Sequence, residues 1–242
     1  MKITRLVIAS SLSAGLWSLC VAQSPKPETS ADDAVVSVHD LPLPHKAARA
    51  FEKGTQLLLK GDAQGSLTYF LKAVEQAPAA YRPYHNLALA YYNVGQLEAA
   101  EQNFQKAIDL TSGTFAPSMF GLAVILYRQS ELARAEKLIR EGLLLQPGSA
   151  PGKYCLGLVQ FSMGRANDAE QSAREALALD PRETDAYVLL ARIHEAKHDF
   201  TAELTDAQNY LKDSPSGVLR SAAGELMRHA QRELETRSAE LN

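Results

Sequence analysis

Small residues return along this chain at an almost constant interval. Gly54, Ala88, Ala123, Gly157 and Ala191 stand 34 or 35 positions apart. The same interval carries Gly61, Gly95, Ser130, Gly164 and His198, and again Ser66, Ala100, Ala135, Ala169 and Glu203. It carries Ala73, Ala107, Gly142, Ala176 and Tyr210 as well, and each period closes near Pro78, Ser112, Pro147, Pro181 or Pro215. A chain with such self-similarity stacks copies of one small supersecondary unit. The small residue lets a second helix backbone come close to the first, and leucine and aromatic places fill the space around that contact. Glycine between the two helices takes a positive φ, and proline stops the second helix. The expected units are 47–80, 81–115, 116–149, 150–183 and 184–217. One helix pair cannot bury its apolar face alone, so the pairs have to stack.

Tyr84, Leu87, Ala88, Tyr91, Ala100, Phe104 and Ala107 together resemble the tetratricopeptide repeat (TPR). The resemblance covers residues 47–215 and implies an all-α fold, a right-handed α-solenoid of five helix-turn-helix units. The chain departs from the pattern at Ser112, which replaces a closing proline, and by one extra residue between units two and three. Glu203 and Tyr210 in unit five stand where small residues are expected. Leu219, Ala222, Ala223, Leu226, Ala230 and Leu234 form a stripe at helical spacing over 218–236. Residues 218–242 therefore read as a capping helix and tail.

The resemblance further implies that the first helices of successive units line a concave groove. Residues four and three apart share a helix face, which gives three columns. The first holds Phe51, His85, Phe120, Tyr154 and Val188. The second holds Thr55, Leu89, Val124, Leu158 and Arg192, and the third Leu58, Tyr92, Tyr127, Phe161 and Glu195. The candidate partner-binding residues are Phe51, His85, Leu89, Tyr92, Phe120, Val124, Tyr127, Tyr154, Leu158 and Phe161. The competing reading is that these side chains only pack between helices. Columns such as Leu87, Leu122, Leu156 and Leu190 already supply an inter-helix core, which favours a groove for an extended or helical protein segment. Repeats of this family that clamp a terminal carboxylate use Lys and Asn. Here Phe51, Thr55, Pro117 and Gly121 occupy those places and only Asn86 matches, so that mode is not expected.

His194-Glu195-Ala196-Lys197-His198 fits H-E-x-x-H, the zinc-peptidase pattern of two imidazoles on one helix face with a glutamate base. The repeat register gives these residues other positions. His194 falls in the column of Leu57, Tyr91, Leu126 and Gln160, which faces the partner helix, and His198 falls in the turn column. A third ligand would have to be Glu203 or Glu225, chosen by elimination only. No catalytic residue, metal or cofactor is therefore expected; a zinc metalloprotease is the minor alternative.

Residues 1–22 have a basic start at Lys2 and Arg5, an uncharged run from Leu6 to Val21, and a small residue at Ala22. This is the layout of a secretory signal peptide. A lipid on Cys20 would need a small residue before it, and Leu19 is not one. Residues 23–46 read as an extended linker. The formal charge is −3; removing Lys2 and Arg5 leaves 23 basic against 28 acidic residues, or −5. No basic block is present to neutralise phosphates, so the expected partner is protein or peptide, with no nucleic acid and no membrane after cleavage. The expected role is an exported, periplasmic or secreted, non-enzymatic interaction scaffold. A periplasmic assembly factor for a pilus or outer-membrane complex is the narrower alternative.

Overall fold

The computed structural model describes residues 42–214 and 217–240. The leader, most of the linker and Pro215 lie outside them. Among the described residues there are eleven α-helices and no strand. They are α1 (His45–Leu59), α2 (Ala63–Gln76), α3 (Tyr81–Asn93), α4 (Leu97–Leu110), α5 (Ala116–Arg128), α6 (Leu132–Leu145), α7 (Ala150–Ser162), α8 (Ala166–Leu179), α9 (Asp185–Ala196), α10 (Phe200–Asp213) and α11 (Arg220–Glu240). They form two compact units. The described part of the N-terminal unit holds residues 42–129 and 137–146, and that of the C-terminal unit holds 130–136 and 147–240.

In the N-terminal unit α1 packs on α2, α3 on α4, and each pair on the helix that follows it. Glycines on the first helices permit this closeness. A Cβ on Gly54 would lie 2.7 Å from the Phe70 ring, and one on Gly121 would lie 2.5 Å from the Phe104 ring. Phe70 and Phe104 are fully buried. The extra residue between units two and three is absorbed by two successive left-handed residues, Ser112 (φ 51°) and Gly113 (φ 77°), with Gly113 N–H donating to the Ile108 carbonyl at 2.9 Å.

In the C-terminal unit α7 packs on α8, α9 on α10, and α11 on both α10 and α9. Gly157 is the close-approach point: a Cβ there would lie 3.0 Å from Leu189 and 3.2 Å from the Ala169 carbonyl oxygen. The two irregular residues of unit five turn out to hold the last helix. Tyr210 is fully buried in a cluster with Val188, Ala191, Leu219 and Ala223, and its hydroxyl accepts the Leu219 N–H at 2.9 Å. Glu203, also fully buried, accepts from His229 Nδ1 at 3.0 Å.

The turns between paired helices share one backbone form. Gly61, Gly95, Ser130, Gly164 and His198 all have positive φ, from 57° to 83°. After the glycines and after His198 alike, the next residue's N–H reaches back to a carbonyl five positions earlier. Asp62 bonds to Leu57 at 3.0 Å, Gln96 to Tyr91 at 2.9 Å, Arg165 to Gln160 at 2.9 Å and Asp199 to His194 at 2.9 Å. This is the Schellman closure of a helix C-terminus. His198 adopts it without being glycine, at the conformational cost that a side chain carries there.

Candidate functional site

The ten candidate groove residues divide by burial. In the N-terminal unit His85, Leu89, Tyr92, Phe120 and Val124 are buried, while Phe51 and Tyr127 keep part of their surface. In the C-terminal unit Tyr154 and Leu158 are buried and Phe161 is half-buried.

The first column is held by the helix pairs themselves. His85 Nδ1 lies 2.9 Å from Ser118 Oγ, and its ring meets Phe104 and Phe115 edge-on at 5.5 and 5.2 Å. A Cβ on Gly142 would come within 2.6 Å of the Phe120 ring, and the Phe51 ring lies 6.0 Å from Phe70. In place of the expected projecting anchors, these three side chains join first helices to second helices. Asn86, the one clamp-like residue, donates to Thr55 Oγ1 at 3.2 Å. The sequence reading missed Arg128, whose guanidinium lies 5.4 Å from the Tyr92 ring centre, and Ser118. Both sit about one period from their partners, an offset that marks neighbours in a repeat array.

First and second helices differ in how they are buried. Helix α5 buries Ala116 and every residue from Ser118 to Leu126, and α7 buries Ala150, Gly152 and every residue from Tyr154 to Gln160. Helix α4 buries only Ala100, Phe104 and Ala107, and α8 only Ala169, Ser172, Ala173 and Ala176. Helices α4 and α8 therefore bury a single stripe, whereas α5 and α7 are buried on every side.

The H-E-x-x-H stretch has a structural occupation. Helix α9 ends at Ala196, so His198 lies outside it in the left-handed turn. His194 is buried, with Nδ1 2.7 Å from Asp206 Oδ2 and Nε2 3.5 Å from Glu170 Oε1. Both ring nitrogens are engaged by carboxylates. Unit four has the same device one period earlier: Ser172 Oγ donates to Gln160 Oε1 at 2.7 Å. In each unit the first-helix residue reaches the second-helix residue twelve positions on. His194 thus bridges helices, and the two histidines of the motif do not share a helix face.

Two buried groups give the units opposite pH responses. Burial lowers His85 from 6.5 to about 3. The unfolded chain takes up that proton below pH 6.5 and the native N-terminal unit does not, so its stability falls by about 1.4 kcal/mol per pH unit from 6.5 towards 3. Burial, helped by Asp185 and Asp180, raises Glu183 from 4.5 to about 7. Its contribution is complete below pH 4.5 and is lost as pH rises through 7. Hydrogen exchange at pH 5 and pH 8, corrected for intrinsic rates, should show the N-terminal unit opening more in acid and the C-terminal unit more in base. His85→Gln and Glu183→Gln should each flatten one response.

Known proteins share both the repeat and the fold. The tetratricopeptide repeat family matches residues 85–151 and 154–218. A TPR repeat-containing protein of Methanocaldococcus jannaschii is 24% identical over 170 residues, covering 66% of this chain and 30% of its own length. The chain thus spans under a third of that relative. A thermophilic TPR protein from Thermus thermophilus superposes with a TM-score of 0.66 at 22% identity, over 78% of this chain and 98% of that structure. YrrB, a TPR protein described as having an unusual peptide-binding site, superposes with a TM-score of 0.53 at 16% identity, over 77% and 92% of the two chains. The fold class is the all-α solenoid of helix-turn-helix repeats, an architecture of protein–protein interaction scaffolds. The matched residues make up more than half of the sequence, and the chain belongs to the tetratricopeptide repeat family.

Proposed function

We propose that this protein is a non-enzymatic scaffold that holds an extended or helical segment of a protein partner against its first helices. The observation that carries this reading is the pair of half-buried aromatics, Tyr127 and Phe161, near the C-terminal ends of the otherwise buried helices α5 and α7. Tyr127 in the N-terminal unit and Phe161 in the C-terminal unit are among the half-buried aromatics, each offered to a partner segment by its own unit. Leu89, Val124 and Leu158 of the second column are buried. Aromatic anchors backed by apolar floor are the usual energetic centre of an interface. The peptide-binding site ascribed to YrrB makes a peptide ligand reasonable by analogy of fold. An exported location, as the layout of residues 1–22 implies, belongs to the same proposal.

The test is Tyr127→Ser combined with Phe161→Ser. Partner capture from the native extract should fall at least tenfold while circular dichroism shows unchanged helix content, since each lost aromatic anchor costs about 2 kcal/mol or more. Undiminished capture by the folded double variant would overturn the reading.

A further inference from the structure

The glutamate of the H-E-x-x-H stretch belongs to a different cluster. Glu195 on α9, Glu203 on α10 and His229 on α11 bring one ligand atom each within 4.8 Å of the others. Glu203 is fully buried, and only one of its two oxygens is used: Oε1 accepts from His229 Nδ1 at 3.0 Å, and Oε2 has no hydrogen-bond partner. A buried carboxylate oxygen without a partner is costly, and its usual remedies are a donor, a proton or a cation. The neighbouring charges make a bare carboxylate costlier still. Glu195 and Glu233 both add negative potential at Glu203, on top of the effect of burial, and His229 is the single group that offsets them. The nearby guanidinium of Arg237 is stacked 4.4 Å over the Phe200 ring.

We propose that Glu195, Glu203 and His229 form a binding site for a divalent transition-metal ion of the zinc class, which ties α9, α10 and α11 together. Two carboxylates and one neutral imidazole neutralise a divalent ion. One nitrogen with two oxygens suits zinc, whereas calcium and magnesium take oxygen ligands. Zinc holds such ligands at about 2.0–2.2 Å, hence about 3.4 Å from one another in a tetrahedron. One pair already stands at 3.0 Å, and all three ligand atoms lie within 4.8 Å of one another. A fourth position is left for water or for Glu233, one helical turn beyond His229. The site would clamp the last helix to the array through the position where unit five departs from its small-residue column. It stands independently of the partner-binding reading.

Zinc titration calorimetry on the full chain tests this, alongside thermal unfolding with and without zinc. The expected result is saturable binding of one ion per chain, a higher melting temperature with zinc, and no displacement by excess calcium or magnesium. Glu203→Gln and His229→Gln should weaken binding by at least the roughly 10–100-fold that even supporting residues of a metal site cost. Glu195→Gln, on a partly exposed residue, gives the same readout without disturbing the core. His194→Ala, the control for the linear motif, should leave zinc binding in place. Absence of saturable binding would overturn the proposal. So would binding that survives His229→Gln and Glu195→Gln, or binding that vanishes with His194→Ala.

Discussion

Phe104→Ala is expected to destabilise the N-terminal unit by about 3–5 kcal/mol, the range for emptying a buried phenylalanine site. The ring is fully buried and fills the space that Gly121 leaves open, and its edge meets His85. The cavity cannot close by itself, because Gly121 carries no side chain to move into it. Stability in a repeat array is a sum of local and neighbour contributions, so the loss should be regional. Hydrogen exchange followed by mass spectrometry should report faster opening of α3, α4 and α5. A loss below about 1 kcal/mol would mean that the Phe104 contacts do not carry the packing ascribed to them.

The opposite change, overfilling, should be nearly as damaging in the C-terminal unit. Gly157→Leu is expected to cost about 3 kcal/mol, at the upper end of ordinary overpacking. The side chain would have to displace the α8 backbone, whose Ala169 carbonyl oxygen lies 3.2 Å and Ala173 nitrogen 3.5 Å from the position of a Cβ. Gly157→Ala should be close to neutral. A single methyl needs only a shift of a few tenths of an ångström at Leu189 and the Ala169 carbonyl, which is offset by the gain of up to about 1 kcal/mol of alanine over glycine inside a helix. Alanine already holds the corresponding place at Ala88, Ala123 and Ala191, all fully buried. Urea denaturation of the three proteins, followed by the exchange of α7–α9, separates the two cases. Equal losses for alanine and leucine would point to backbone conformation in place of contact with α8.

What could be read from the sequence follows from the repeat. Residues one period apart occupy equivalent positions, so the turn column found in Gly61, Gly95 and Gly164 extends to Ser130 and His198, and all five share the left-handed backbone. The same register puts His194 in the inter-helix column and His198 in the turn column, and the structure places them there, His198 in the left-handed turn after α9. The register could not say which face of a first helix stays uncovered. Phe51, His85 and Phe120 share a column, yet each is engaged by a second-helix or neighbouring residue, because side-chain size and direction decide contact as much as position does. Bonds from unit five to the capping segment were also hidden. Glu203 to His229 spans 26 residues, and Tyr210 to Leu219 leads out of the repeat altogether. No period relates those pairs, and in the sequence Glu203 and Tyr210 stand out as departures from a small-residue column. They are the points at which α11 is attached.

A photo-crosslinking amino acid placed in turn at positions 127, 161 and 144 tests the central claim most directly. Tyr127 and Phe161 lie on first helices, and Leu144 is an exposed apolar residue on a second helix, 82% accessible. If first helices hold the partner, irradiation in the native extract should join one and the same protein to positions 127 and 161 and leave position 144 without that adduct. The same partner captured at 144 and absent from 127 and 161 would contradict the account.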